Sequence, residues 1–300
     1  MLLRIDDTDA ARNVPGGEEA ILDDLRWLGV EWDEGPVRQS TRGERYREAA
    51  ERLGGTRFGR ATLVREDGSA TYHLASVVDD ADFGITRVIR GADHRPNEEL
   101  HRRLHEALGT RPPEYVHHGL VLGDDGRKLS KRAAGATVAS LREAGIPGEA
   151  VRRYLDELGL PRHDVRYDLA RIRRLSIEAL AALPDDELAG RAGAPASAAP
   201  ALRGARDLEE ARRFARLVLE PQPAQVSPEA RPTLERLREL VERANGRVDA
   251  RAVVRELKAV GGDLRAVRLA LTGSTRGPEL WAVLAALEPR EILRRVDAAL

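Results

Sequence analysis

The feature that most limits the fold of this chain is a change of rhythm. As far as Leu122, short apolar strands alternate with amphipathic helices, and from Pro147 onward the pattern is almost wholly helical. Strand, helix and strand in succession favour a parallel sheet, because parallel neighbours need a long crossover connection.

Leu2-Leu3-Arg4-Ile5 reads as a strand with Asp6-Asp7-Thr8-Asp9 at its carboxyl end. Residues 18–28 form a helix with Ile21, Leu22, Leu25 and Leu28 on one face and Gly29 as its stop. A second helix over 42–53 carries Tyr46, Ala49, Ala50 and Leu53 on one side. Residues 62–64 and 70–78 are expected as strands around a Glu66-Asp67-Gly68-Ser69 turn. A strand over 84–90, a helix over 98–108 and a strand over 116–122 follow. The Ala-, Pro-, Gly- and Ser-rich stretch 192–205 reads as a linker. The last helix starts at Pro289, a favoured first helical residue. The expected fold class is α/β: a partial Rossmann-like parallel sheet domain, then an all-helical C-terminal domain. The expected divisions are residues 1–110, 111–191 and 206–300.

With no cysteine, disulfides, thiolate metal sites such as zinc, and a Cys nucleophile are excluded. The net charge of −1 gives no global basic field. No signal peptide or bilayer-spanning apolar run is visible, so a soluble cytoplasmic protein without membrane contact is expected.

Of the 49 basic side chains only three are lysine, and two of them, Lys128 and Lys131, stand three apart in Asp125-Gly126-Arg127-Lys128-Leu129-Ser130-Lys131-Arg132. Lysine is a compact point charge on a flexible stem, whereas arginine is a planar fork. A mobile Lys-x-Ser-Lys loop suits a polyphosphate whose charge moves during reaction, with Lys131 at the leaving pyrophosphate and Lys128 and Ser130 holding the loop. A solvated turn is the plainer alternative.

Tyr72, Leu74, Ser76 and Val78 share one face if 70–78 is a strand. Tyr72 and Ser76 then suit a small polar substrate, or a core tyrosine beside a small filler. Asp79, Asp80 and Asp82 suit a helix start or turn better than a metal cluster. Arg90 ends an apolar strand at the sheet edge where ligands bind, and an arginine there clamps a carboxylate with two parallel bonds or makes a structural ion pair. Asp93-His94 has no Gly-x-Ser-x-Gly turn to complete a triad. His117 and His118 point to opposite faces of a strand and cannot chelate one metal together. No Walker A loop and no Gly-x-Gly-x-x-Gly after a strand occurs.

Together these segments resemble glutamyl-tRNA synthetase, a class I aminoacyl-tRNA synthetase of the glutamate and glutamine branch. Leu3 to Asp9 resembles the family's Leu-Arg-Ile-Glu-Asp-Thr-Asp strand end. Thr71 to Asp80 resembles its Thr-Tyr-His-Leu-Ala-x-Val-Val-Asp-Asp segment, and Val88 to His94 its Val-Ile-Arg-Gly-Glu-Asp-His. Lys128-Leu129-Ser130-Lys131-Arg132 is similar to its KMSKS signature. Leu269 to Gly273, with Pro278 and Leu280, resembles the end of its anticodon-binding domain.

The resemblance implies that glutamate attacks the α-phosphorus of ATP, giving glutamyl-adenylate and pyrophosphate, and that the acyl group then moves to tRNA of the glutamate type. It implies that Tyr72 and Arg90 bind glutamate, with Arg90 on the side-chain carboxylate. It implies that Asp6 meets the substrate amino group, that Ser76 lines the pocket, and that Lys131, Lys128, Ser130 and Asp93 serve ATP. ATP enters as substrate, Mg2+ is expected with it, no residue is assigned to a metal, and a monomer is implied.

The chain also departs from the family. The HIGH segment is expected upstream of Leu2, and residues 54–61 leave no room for the inserted domain that grips the tRNA acceptor end. Asp6 replaces Glu, Ser76 replaces Asn, and Ala92 replaces an acidic residue. These 300 residues alone are therefore expected to be poorly active. The readings that stand are a glutamate–tRNA ligase, a diverged paralogue that binds RNA without normal aminoacylation, and a nucleotidyl transferase acting on a non-tRNA acceptor. The first is expected.

Overall fold

The computed structural model describes all residues except Lys131, Arg132, Ala134, Asn245 and Arg247. The chain divides into two compact units, Met1–Ala136 with Leu155–Tyr167, and Thr137–Tyr154 with Asp168–Leu300.

The first unit opens with β1 (Leu2–Ile5), α1 (Gly17–Trp27) and β2 (Glu34–Arg38), and β1 pairs with β2 in parallel. This is a strand–helix–strand crossover, as the alternation predicts. The apolar stripe of α1 is less covered than expected. The helix buries none of its residues, and Ile21 is 54% exposed. That stripe borders an open groove of about 1130 Å³, lined also by Leu3, Asp6, Asp80, Phe83 and Ile85.

After α2 (Gly43–Arg52), a two-stranded hairpin pairs β3 (Arg57–Phe58) antiparallel with β4 (Ala61–Thr62). Then comes α3 (Tyr72–Asp82), where a strand over 70–78 was expected. The expectation failed because this helix is buried on almost every side. Leu74, Ala75, Ser76, Val77, Val78 and Asp79 are all buried, so the apolar run shows no amphipathic helical period. Short apolar runs read equally as buried strand or buried helix, and Val77 and Val78 tip the propensity toward strand. Packing decides for helix: α2, α3 and α4 (Glu98–Ala107) close a core of Tyr46, Ala49, Leu63, Leu74, Val77 and Leu104. The expected shared face of Tyr72, Leu74, Ser76 and Val78 is replaced by helical neighbours, and Tyr72, Ser76 and Asp80 now lie at successive i,i+4 positions. Of the strand over 62–64 only Thr62 remains in β4, and Val64 makes a single bridge to Ala70.

A second crossover places β5 (Arg87–Gly91) parallel to β6 (Glu114–His118), with α4 between them and Arg90 opposite His117. The strand expected over 116–122 is broken at Gly119 into β6 and β7 (Val121–Leu122), and β7 pairs in parallel with β8 (Val165–Arg166). A Cβ on Gly119 would lie 2.0 Å from the His163 carbonyl oxygen, so only glycine fits this close approach.

The second unit is helical. It begins with α5 (Val138–Glu143) and the part of α6 (Gly148–Leu158) up to Tyr154. It continues through α7 (Leu169–Ala182), α8 (Asp185–Arg191), α9 (Ala199–Leu202) and α10 (Leu208–Leu219). Then follow α11 (Arg231–Arg243), α12 (Ala250–Ala259), α13 (Leu264–Thr272), α14 (Leu280–Ala286) and α15 (Pro289–Ala299). The stretch read as a linker is folded. Ala198, Ala199, Ala201, Leu202 and Ala205 are buried, and α9 packs on α14. Alanine here serves close helix approach, a role that composition alone does not separate from flexibility. Among the described residues no helix is long and apolar enough to cross a membrane.

Candidate functional site

Arg90 sits near the carboxyl end of β5, and three elements converge on it. From β6, His117 accepts a hydrogen bond at Nε2 from Arg90 Nε, 3.2 Å away. From α4, His101 Nδ1 lies 3.4 Å from Arg90 Nη1. From α3, the Tyr72 hydroxyl lies 3.5 Å from the same nitrogen. The guanidinium carbon stands 4.6 Å over the Tyr115 ring. Among the described residues no carboxylate forms an ion pair with Arg90, and its Nη2 is buried without a partner.

That orphan has company. Among the described residues six buried side-chain polar atoms lack a partner, and they include Arg90 Nη2, Tyr115 Oη, His94 Nδ1 and Ser76 Oγ. The His94 ring is 5.8 Å from that of Tyr72, and Ser76 follows Tyr72 by one helical turn. Buried polar atoms without partners are costly, and a cluster of them marks a place shaped for a polar ligand or water.

The far end of α3 is acidic and fully engaged. Asp79 is buried and accepts hydrogen bonds from Gln39, Arg42 and Tyr46, with Arg4 Nη1 3.3 Å away. Asp82 is gripped by Arg42 and Arg45. These carboxylates anchor α3, and among the described residues no group of three His, Asp or Glu side chains is arranged for a metal ion. Asp80 differs. Burial pushes its carboxyl up to about 6, opposed by Arg4 and by Arg90. Asp6 is half exposed, and Arg4 holds its carboxylate through Nε at 2.7 Å.

The Lys loop begins as a hairpin. Leu129 donates its backbone N–H to Val121 and Gly123 to Arg127, with Gly126 at a φ of 72°. Lys128 on the returning limb reaches Asp93 Oδ2 at 2.5 Å, and that bond holds the Asp93 carboxyl below the usual range. Ser130 continues the limb, and its carbonyl accepts from Ala133 N–H. Lys131 lies outside the described residues.

The structure therefore brings Tyr72 and Arg90 together, sets Ser76 one turn away, joins Asp6 to the end of α3 through Arg4, and ties Lys128 to Asp93. His73, Asp80, His101 and His117 were not singled out from sequence as parts of this site. For Asp80 a signal existed, since it stands eight residues after Tyr72 and shares its face once the segment is read as a helix.

The sequence model of the family described as tRNA synthetases class I (E and Q), catalytic domain, matches residues 1–56 and 55–176. The chain belongs to this family. Glutamate–tRNA ligase 1 of Rubrobacter xylanophilus is 33% identical over 387 aligned positions that take in all of this chain and 90% of that protein. The glutamate–tRNA ligase of Akkermansia muciniphila is 30% identical, covering 98% of this chain and 90% of that protein. A crystal structure of a glutamate tRNA ligase from Elizabethkingia meningosepticum, in complex with its amino acid, matches with a TM-score of 0.74 at 20% identity. It covers 99% of this chain and 92% of that one, and speaks to the fold.

Membership gives the short β3–β4 hairpin a meaning. The two family matches meet at Gly55-Thr56, and the Rubrobacter alignment is 387 positions long against 300 residues here. At this junction, where the sequence leaves no room for an inserted domain, the chain carries Thr56 and six hairpin residues from Arg57 to Thr62.

Proposed function

We propose that this chain is a glutamate–tRNA ligase that activates glutamate with ATP and passes the acyl group to tRNA. One observation carries the substrate assignment: a guanidinium held by neutral groups, without a carboxylate partner, and with Nη2 buried and unpaired. A charge in that setting feels Asp80 nearby but is paired with no carboxylate, and a planar fork favours one. Glutamate brings such a group, while glutamine brings an amide that leaves the charge unbalanced.

ATP is the second substrate, with Mg2+ as its counterion. The hairpin that presents Lys128 supports this, because a lysine on a short, glycine-hinged limb can follow a departing pyrophosphate. Lys131 is proposed to act with it. Asp6, freed from Arg4, is proposed to receive the substrate amino group, and Ser76 to line the pocket. Residues 206–300 are proposed as the anticodon-binding-like part, and the protein as a cytoplasmic monomer.

The deciding experiment is equilibrium dialysis of glutamate and of glutamine against the 300-residue protein and its Arg90→Ala variant, alongside glutamate-dependent ATP–pyrophosphate exchange. Glutamate retained over glutamine, and lost in Arg90→Ala, is expected. Equal retention of the two amino acids would remove the assignment.

A further inference from the structure

We propose that His101 is a positioning residue for glutamate selection: from α4 it fixes the orientation of the Arg90 guanidinium so that Nη2 stays unpaired for the substrate carboxylate, and His73 fixes His101 in turn. The proposal rests on Arg90 being the carboxylate clamp.

A guanidinium only donates, so His101 Nδ1, 3.4 Å from Arg90 Nη1, is an acceptor and carries no proton. The proton of a neutral His101 is then on Nε2, where it points at His73 Nδ1, 3.0 Å away. His73 accepts there and keeps its own proton on Nε2. The same logic makes His117 Nε2 an acceptor and puts its proton on Nδ1, 3.6 Å from Glu98 Oε2. The direction of the whole chain, from Arg90 through His101 to His73, is thus set by the arginine.

His101 is 1% exposed and remains neutral: burial first, then Arg90 and the neighbouring histidines, push it down to about 3. Neutrality is what the site requires. A carboxylate at this position would orient Arg90 equally well but would cancel its charge. Histidine and tyrosine occupy Nε and Nη1, the Tyr115 ring covers one face, and Nη2 is left with its full donor strength. A histidine that merely filled the core would need neither an acceptor aimed at Arg90 nor a donor aimed at His73.

The test uses nitrogen-15 NMR of the 300-residue protein together with glutamate dialysis, on the parent and on His101→Leu, His101→Gln and Arg90→Ala. The parent should show His101 protonated at Nε2 only, and separate Arg90 Nη signals from slowed rotation. His101→Leu should merge those signals and weaken glutamate binding roughly tenfold, the scale of one lost hydrogen bond to a charged donor. Thermal unfolding is followed for every variant. His101→Gln offers a carbonyl to Arg90 and an amide N–H to His73, and should recover most of both properties. If His101→Leu keeps separate Arg90 signals and parental affinity while Arg90→Ala loses glutamate, positioning by His101 is overturned and the clamp stands. If Arg90→Ala binds as the parent does, the clamp falls, and this proposal with it. A parent without measurable glutamate affinity counts against the clamp, and survival of the separate Arg90 signals in His101→Leu then decides against positioning.

Discussion

Arg90 meets His117 across the parallel pair of β5 and β6, with Nε 3.2 Å from the ring Nε2. This is a charged donor on a neutral acceptor where a structural arginine would carry a carboxylate. Replacing Arg90 by Lys keeps the charge and loses the fork, so glutamate affinity should fall by about 10- to 100-fold despite an unchanged net charge. The dissociation constant for glutamate, measured at constant ionic strength, checks this. A lysine variant within about twofold of the parent would show that charge alone suffices.

Lys131→Ala should reduce glutamate-dependent pyrophosphate exchange about 10²-fold or more in a form that shows the activity, as loss of one electrostatic stabiliser of a developing charge does. Lys128→Ala should also release the Asp93 carboxyl from its lowered range. A carbon-13 titration of Asp93 reads that change directly, and no movement would separate Lys128 from Asp93 in solution.

Asp80 sets a pH dependence whose sign is fixed. Its folded value, about 6, lies above the ordinary 3.8, so the folded state binds the proton more tightly. The stabilisation from protonated Asp80 is fully present below about 3.8 and is lost as pH rises through about 6. Asp80→Asn should therefore gain stability relative to the parent as pH rises across this window and hold that gain above it. Urea midpoints at pH 4, 6 and 8 give the comparison, and a constant difference across them would place Asp80 in a more polar setting than the structure gives.

Asp79 takes bonds from Gln39, Arg42 and Tyr46 while fully buried. Asp79→Ala should cost about 3–5 kcal/mol, since Arg42 and its neighbours would lose a buried counter-charge. Gly119→Ala should cost about 1–3 kcal/mol, because its new methyl group would meet backbone at His163, not a side chain that can swing aside. Denaturant unfolding measures both.

The sequence carried the two crossovers and the helical character of the second unit; α15 begins at Pro289, as that favoured first residue indicates. It failed at α3 for a physical reason. Amphipathic period is visible only where one face meets water, and α3 meets little of it. That miss hid the site's layout, because Tyr72, Ser76 and Asp80 align by helical turns. Arg90 was legible, since a charge closing an apolar strand stands out. Its histidine collar was not: His101 sits in a run of arginines and leucines on α4 and looks like any residue of that face.

The hairpin from Arg57 to Thr62 also has a use in protein engineering. Phe58 and Ala61 are paired neighbours, so the chain leaves and re-enters the first unit at almost one point. A foreign module whose own ends lie close together could be grafted at Gly59-Arg60 with little disturbance to α2 or α3. The entropy of closing such a loop grows only with the logarithm of its length, about 0.6 kcal/mol per doubling. A graft there is expected to turn this short chain into a scaffold whose added part can be exchanged while the surrounding first unit stays as built.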